Sequence, residues 1–332
     1  MQFLAPILRR RPATRVFRAD GIIGSYYIST NDALYYLENG LGQQVSTLGG
    51  YGIAIAGNQV VRSVDLKNAS RIVSVNPHDR TKLDHIEEVI YEMPFRSTNG
   101  RIHQLSCDRK GNFYAALADR NSILRFAKSE NGWNFEEFTP FGDRFGAPIL
   151  FDHNHINSVL PQNDFLLFVA YKAGPGSMIG VIRDDRVLGF RYPNQGMHDI
   201  FITKTGFLCF DTFGGSKDPG GRPITESGPT RSPVFDQAPG YVLRGAAQFG
   251  TETLYGHSHK GERSKRFDGS GGILQFSGGC FSYYSIPSAQ VYQIVRKDGL
   301  FFDHADVSFE AIISQLTHTF GEPVYDAVIA HI

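Results

Sequence analysis

One recurring unit limits what this chain can fold into more than any other feature. The clearest copy runs from Arg101 to Ala127: an apolar run, His103 to Cys107; a turn, Asp108-Arg109-Lys110-Gly111-Asn112; a second run, Phe113 to Leu117; a polar turn, Ala118 to Ser122; and a third run, Ile123 to Ala127. Short connections rich in Gly, Asn and Asp join antiparallel neighbours, so the copy reads as a meander. The position of His103 recurs at Tyr51, His155, His198, His257 and Tyr292, at intervals of 52, 52, 43, 59 and 35 residues. Repeats of roughly 40–50 residues, each a four-stranded unit, predict a β-propeller. Six anchors imply six blades; five or seven also fit the spacing.

The stretch His103-Gln104-Leu105-Ser106-Cys107-Asp108-Arg109-Lys110-Gly111-Asn112-Phe113-Tyr114 resembles a blade of the NHL or gluconolactonase type of propeller. That resemblance implies architecture and no single activity.

Composition agrees. The chain has 332 residues, 41% hydrophobic, with 36 Gly, 26 Phe and 15 Tyr. Glycine-punctuated aromatic strands suit a sheet protein with many turns. Lys plus Arg and Asp plus Glu both number 33, so no basic excess predicts nucleic-acid binding. Cys107, Cys209 and Cys280 are far apart and without a CxxC, which predicts free thiols and neither a disulfide framework nor a thiolate zinc site. No apolar run approaches the roughly 20 residues that span a bilayer. At the N-terminus, Arg9, Arg10 and Arg11 follow the apolar residues, the reverse of a secretory signal. The expectation is a cytoplasmic protein acting on a small molecule, with no nucleic-acid or membrane partner.

Residues 1–20 read as an N-terminal extension and 21–332 as one propeller domain. Outer strands are expected at Ala33–Tyr36, Arg71–Val75, Glu87–Tyr91, Trp133–Phe138, Ile179–Ile182 and Val187–Tyr192. The Gly- and Pro-rich stretch 214–239 reads as an inserted loop, a lid or a disordered segment. Phe309, Ile312, Ile313 and Leu316 have helical spacing and predict a short helix over 308–320. Val324–Ile332 or Arg15–Phe17 is expected to close the ring by pairing a terminal strand.

The inner strand of each blade lines the axis, so equivalent positions converge there. Four of the six anchors are histidine although the chain has 11 in all. Converging imidazoles can bind zinc, iron or manganese or supply a base or nucleophile. The bland alternative for each histidine is a hydrogen-bonded structural role. The metal reading takes His103, His155, His198 and His257 as ligands, with Asp199, Asn157 and Gln104 orienting their rings. The metal would polarise a substrate oxygen or activate water in a lyase or hydrolase reaction, or support oxygen chemistry at iron. His198, His155 and Glu262 are the catalytic candidates. Lys172, Lys260, Arg263, Asn157, Tyr51 and Tyr292 are the substrate-binding ones.

Two further resemblances sharpen these alternatives. The segment at His103 is similar to the zinc-binding segments of the six-bladed lyase that completes peptide amidation, with Gln104 in place of glycine and Arg101 in place of proline. It implies His103 as a ligand, with His155 and His198 beside it. The segment His155-Ile156-Asn157-Ser158-Val159 and the run from Gln195-Gly196-Met197-His198 to Phe210-Asp211 resemble bacterial arylsulfotransferases, in which a histidine takes up the sulfuryl group. There Val169-Ala170-Tyr171-Lys172 replaces Ser-Ser-Arg-His, and Lys172 cannot make the bidentate fork of an arginine. A third class, a binding scaffold, remains open because many propellers only present surfaces.

Overall fold

The computed structural model describes residues 14–75, 86–94, 101–141, 154–171, 176–193, 196–204, 206–212, 222–225, 228–229, 241–259, 267, 269–303 and 307–331. The described strands form six antiparallel sheets. From the inner edge outward, the first comprises Val291–Arg296, Ser25–Thr30, Leu34–Glu38, Leu41–Ser46 and Val16–Arg18. The other sheets take consecutive stretches of chain, with inner strands Ile53–Ala56, Ile102–Cys107, Ile156–Pro161, Met197–Ile202 and Tyr241–Phe249. Each inner strand packs against the next, and Tyr241–Phe249 packs against Val291–Arg296, which closes the circle. The architecture is the all-β propeller that the repeat predicts.

Burial explains the strand sequences. An inner strand is covered on both faces by neighbouring sheets, so Met197–Ile202 and Val291–Arg296 are buried along their whole length, like strands of a fully covered sheet. Outer strands such as Cys280–Ile286 are mostly exposed and tolerate polar residues. The Asp-x-x-Gly-Asn turn is structural. Asp108 Oδ1 accepts from the backbone N–H groups of Lys110 and Asn112, both at 2.9 Å, and Gly111 takes φ +83°, which glycine adopts without strain.

Polar side chains stitch the inner strands together. Gln293 Oε1 accepts from Ile53 N (3.1 Å), while its Nε2 donates to Ile53 O (3.0 Å) and Leu105 O (2.9 Å). Gln104 Oε1 accepts from Ser158 Oγ (2.6 Å) and Val159 N (3.0 Å), and Ser158 Oγ accepts from Ile200 N (2.9 Å). Asp199 Oδ2 accepts from Gly245 N at 2.7 Å. Gly245 has φ +66°, and a Cβ there would lie 2.7 Å from Gln293 Cα, so a close crossing of two strands depends on it. Buried groups placed this way satisfy backbone atoms that adjacent sheets cannot pair by themselves.

Three expectations about the chain ends and the loop change. Ring closure falls to Val291–Arg296, paired antiparallel with Ser25–Thr30, and not to either terminal segment. Val16–Arg18 lies instead on the outer edge of that sheet, against Leu41–Ser46. Tyr325–Val328 and Ala330–His331 pair with Arg186–Tyr192 and Gly132–Thr139, covering the outer edges of the fourth and third sheets, where an open strand would invite association. Within 214–239, Arg222–Thr225 pairs with Phe207–Asp211 and Gly228–Pro229 extends the sheet; its other residues lie outside the described set.

The helix forms as predicted, over Phe309–Phe320, with Ser308 as its N-cap accepting from Ala311 N at 3.2 Å. Its apolar stripe buries Ile312 and Leu316, and Phe320 packs against Tyr192 and Phe207. No helix among the described residues is long and apolar enough to cross a membrane.

Candidate functional site

At one end of the axis the first residues of the inner strands meet in a closed circuit. Tyr292 and Tyr51 stack with ring centroids 3.8 Å apart and planes 5° from parallel. Tyr51 stacks in turn on His103 (4.3 Å), and His103 meets His155 edge-on at 4.9 Å. Tyr171 lies 5.2 Å from His155 and 5.4 Å from His198. Arg244 Nη2 is 3.2 Å from His198 Nε2, and the Arg244 guanidinium is 5.9 Å from the Tyr292 ring centroid. Arg101 stands 5.6 Å from the Tyr51 centroid and forms an ion pair with Asp65 at 2.8 Å.

β-Bulges aim these side chains. The pairing register shifts just beyond His198 and just beyond Arg244. In the fourth sheet the paired position is Ile156 and the bulge falls at Asn157, so His155 lies one residue upstream of the common register. Its φ of +50° returns its ring to the circuit. Positive φ at a residue with a Cβ carries strain, which the surrounding structure must offset.

The circuit brings together Tyr51, His103, His155, His198 and Tyr292. It omits His257, which lies on Glu252–His259, the second strand of the sixth sheet, opposite Leu243 and Gly272. Its ring packs edge-on against Tyr283 at 5.1 Å. Arg244 occupies the axial position expected for His257. With Arg244 as anchor the intervals after His198 become 46 and 48 residues, and Arg244-Gly245-Ala246 matches Tyr51-Gly52-Ile53 in pattern. That even spacing is the signal by which the sequence could have revealed Arg244. Tyr171 and Arg101 were also missed as site residues. Lys172, Lys260, Glu262 and Arg263 lie outside the described residues.

The roles expected of Gln104 and Asp199 also change, because both bond to neighbouring strands and not to imidazoles. Asn157 does reach a ring: its Nδ2 is 2.9 Å from His198 Nδ1 and 3.0 Å from Met197 O.

Burial disfavours the charged forms of the titratable groups at this end. Burial, with His155, Arg244 and Arg101 nearby, holds the His103 pKa well below the usual imidazole range. Burial, then the Tyr51 hydroxyl, pushes the Tyr292 phenol well up. Burial raises Asp199 to about 6, against the opposing pull of the Gly245 N–H and of Arg244. Arg244 forms no ion pair among the described residues, and its buried Nε has no hydrogen-bond partner there.

His257 gives a prediction about stability. Burial lowers its pKa to about 4 from an unfolded value near 6.5. The folded state therefore refuses a proton that the unfolded chain accepts. Stability from this group is complete above pH ~6.5 and falls as pH drops toward ~4, by about 3 kcal/mol. Urea unfolding of wild type and His257→Gln at pH 7 and pH 4.5 checks this: the variant should lose less stability between the two pH values.

No family model matches the chain, and no curated protein matches it. Solved structures do. A protein of unknown function from Bacteroides caccae superposes with a TM-score of 0.54 at 8% identity, covering 82% of this chain and 98% of that one. One from Bacteroides thetaiotaomicron gives 0.50 at 11% identity, covering 86% of both chains. Virginiamycin B lyase from Staphylococcus aureus gives 0.44 at 17% identity, covering 72% of this chain and 71% of that one. Identities this low speak for fold alone, and the fold itself is the β-propeller formed by the circle of six sheets.

Proposed function

We propose that the axial circuit is the active site of an enzyme, a lyase or hydrolase that acts on a small anionic substrate. The observation that carries this reading is Arg244, a guanidinium that makes no salt bridge among the described residues and is set against the imidazole of His198. A half-buried cation of this kind attracts a carboxylate or other oxyanion and stabilises charge that develops in a reaction. His155, edge-on to His103 and beside Tyr171, is the candidate for proton transfer, which contributes typically 10²–10⁴-fold.

The zinc, iron or manganese reading fits this donor set poorly. Among the described residues no group of three or more His, Cys, Asp or Glu is arranged to hold a metal ion. A cation at His198 Nε2 would also face the guanidinium of Arg244. Metal analysis by mass spectrometry, on protein purified without a chelating tag, should find no stoichiometric zinc, iron or manganese. A full equivalent that disappears in His103→Ala/His198→Ala would put the metal lyase first.

Turnover is tested on a panel of small lactones, carboxylate-bearing esters and β-substituted carboxylates, the last for elimination. His155→Gln and Arg244→Ala should each lose at least tenfold on any compound the wild type converts. Wild-type rates in both variants would remove the circuit from catalysis. No conversion of any panel compound would favour the binding scaffold.

A further inference from the structure

We infer that the propeller carries a second binding site, a cavity at the opposite end of the axis from the circuit, and that its ligand is a small organic acid with an apolar tail. The circuit forms where the inner strands begin. The cavity, of about 470 Å³, lies at or just beyond the ends of four of them. His103 belongs to the circuit and Cys107 lines the cavity; on their shared strand, Ile102–Cys107, they stand about 13 Å apart at the rise of an extended chain. Gln293 spans the inner strands between the two, bonded to Ile53 and Leu105. The volume falls in the range of small-molecule sites, about 300–1,000 Å³.

Contacts within the fold preform the walls. Ile55, Leu160 and Phe301 supply buried apolar surface. Phe301 is held by its carbonyl, which accepts from Gln248 N at 2.6 Å, and by its ring, 5.2 Å from that of Phe201. The turn 298–300 seats on Ile55 through Gly299, whose φ is +88° and where a Cβ would collide with Ile55 O. The Cys107 thiol donates to that same oxygen at 3.0 Å. An apolar group therefore enters without first having to order the side chains around it.

The charges around the cavity select an anion. The Asp-x-x-Gly-Asn turn sets Lys110 at the rim, and the acid of that turn, Asp108, is fully engaged. Its Oδ1 accepts from Lys110 N and Asn112 N, and its Oδ2 from Asn112 Nδ2 (2.6 Å) and Tyr114 Oη (3.4 Å). Asp298, the other carboxylate of the lining, accepts from Arg296 Nη2 at 2.5 Å and from Leu300 N at 3.2 Å. Lys110 is exposed and forms no ion pair among the described residues, and Arg109 adds a second positive charge beside it. A carboxylate at the rim gains a charge-assisted bond to the ammonium while its tail covers Leu160 and Phe301. A cationic ligand meets like charge there, with both acids already taken.

This site is independent of the reading of the circuit as an active site, and its test needs no turnover. Hexanoate is the probe, with hexylammonium and acetate as its counterparts of opposite charge and without a tail. Titrating nitrogen-labelled full-length protein with hexanoate should move the backbone amide signals of Gly57, Gly111 and Gly299 along saturable curves. Hexylammonium and acetate should each bind at least tenfold more weakly at these signals. Lys110→Glu lies on an exposed turn whose bonds use only the backbone of that residue, so it should fold normally and weaken hexanoate at least fivefold. Arg244→Ala, at the other end of the axis, should leave the curves unchanged. Absence of saturable binding, equal binding of hexylammonium or acetate, or indifference to Lys110→Glu overturns the inference. Loss of the curves in Arg244→Ala would place hexanoate in the circuit and overturn it as well.

Discussion

Replacing Gln293 with leucine is expected to lower unfolding free energy by about 3–9 kcal/mol, since three backbone groups lose their partner and each unmet buried group costs about 1–3 kcal/mol. Gln293 is 1% exposed and bonds Ile53 N, Ile53 O and Leu105 O, so one side chain ties three consecutive inner strands together. Leucine has a similar volume, so the loss reports hydrogen bonds and not a cavity. Urea denaturation followed by far-ultraviolet circular dichroism measures it. A loss below ~1 kcal/mol would mean that the strands hold their arrangement without this clasp. Ser282→Ala, on the largely exposed strand Cys280–Ile286, is the matched control and should change stability by less than ~0.5 kcal/mol.

Arg244→Ala carries the largest functional effect. Losing one donor to a developing oxyanion costs roughly 10²–10³ in kcat, and the same range is expected for whichever panel substrate the wild type converts. Arg244→Lys should recover little, because a single ammonium does not reproduce the planar fork. A second readout is independent of substrate. Arg244 is one of the groups that hold the His103 pKa down, so Arg244→Ala should move the His103 titration to higher pH, while burial still keeps it below that of an exposed imidazole. Titration by nuclear magnetic resonance checks the direction. An unchanged His103 would place Arg244 away from the circuit.

The architecture was legible because the repeat unit is local. Asp108, Gly111 and Asn112 announce a tight turn within five residues, and each inner strand is a short, continuous apolar run. Tyr51, His103, His155, His198 and Tyr292 could be placed at the axis for the same reason, since each precedes such a run. Arg244 could not, because His257, thirteen positions later, carries a ring as the other anchors do and also precedes a turn and an apolar run. Its neighbours then gave uneven intervals of 59 and 35, where 46 and 48 describe the sheets. Ring closure was hidden for another reason. Tyr26 pairs with Arg296 and Ile28 with Ile294, partners from opposite ends of the chain. A local pattern marks a strand but not the strand beside it. The stitching role of Gln104 and Asp199 was masked in the same way, because its partners lie in other sheets.

The Tyr51–Tyr292 stack has a consequence for watching this molecule work. Tyr292 belongs to the strand that completes the circle, and Tyr51 lies two residues before the inner strand of the adjoining sheet. Two phenol chromophores held face to face at 3.8 Å form an optical pair whose near-ultraviolet dichroism depends on their mutual orientation. The seam of the propeller thus carries its own gauge, readable without a label. If the circle opens there first, that band should fade on warming before the far-ultraviolet signal of the sheets declines.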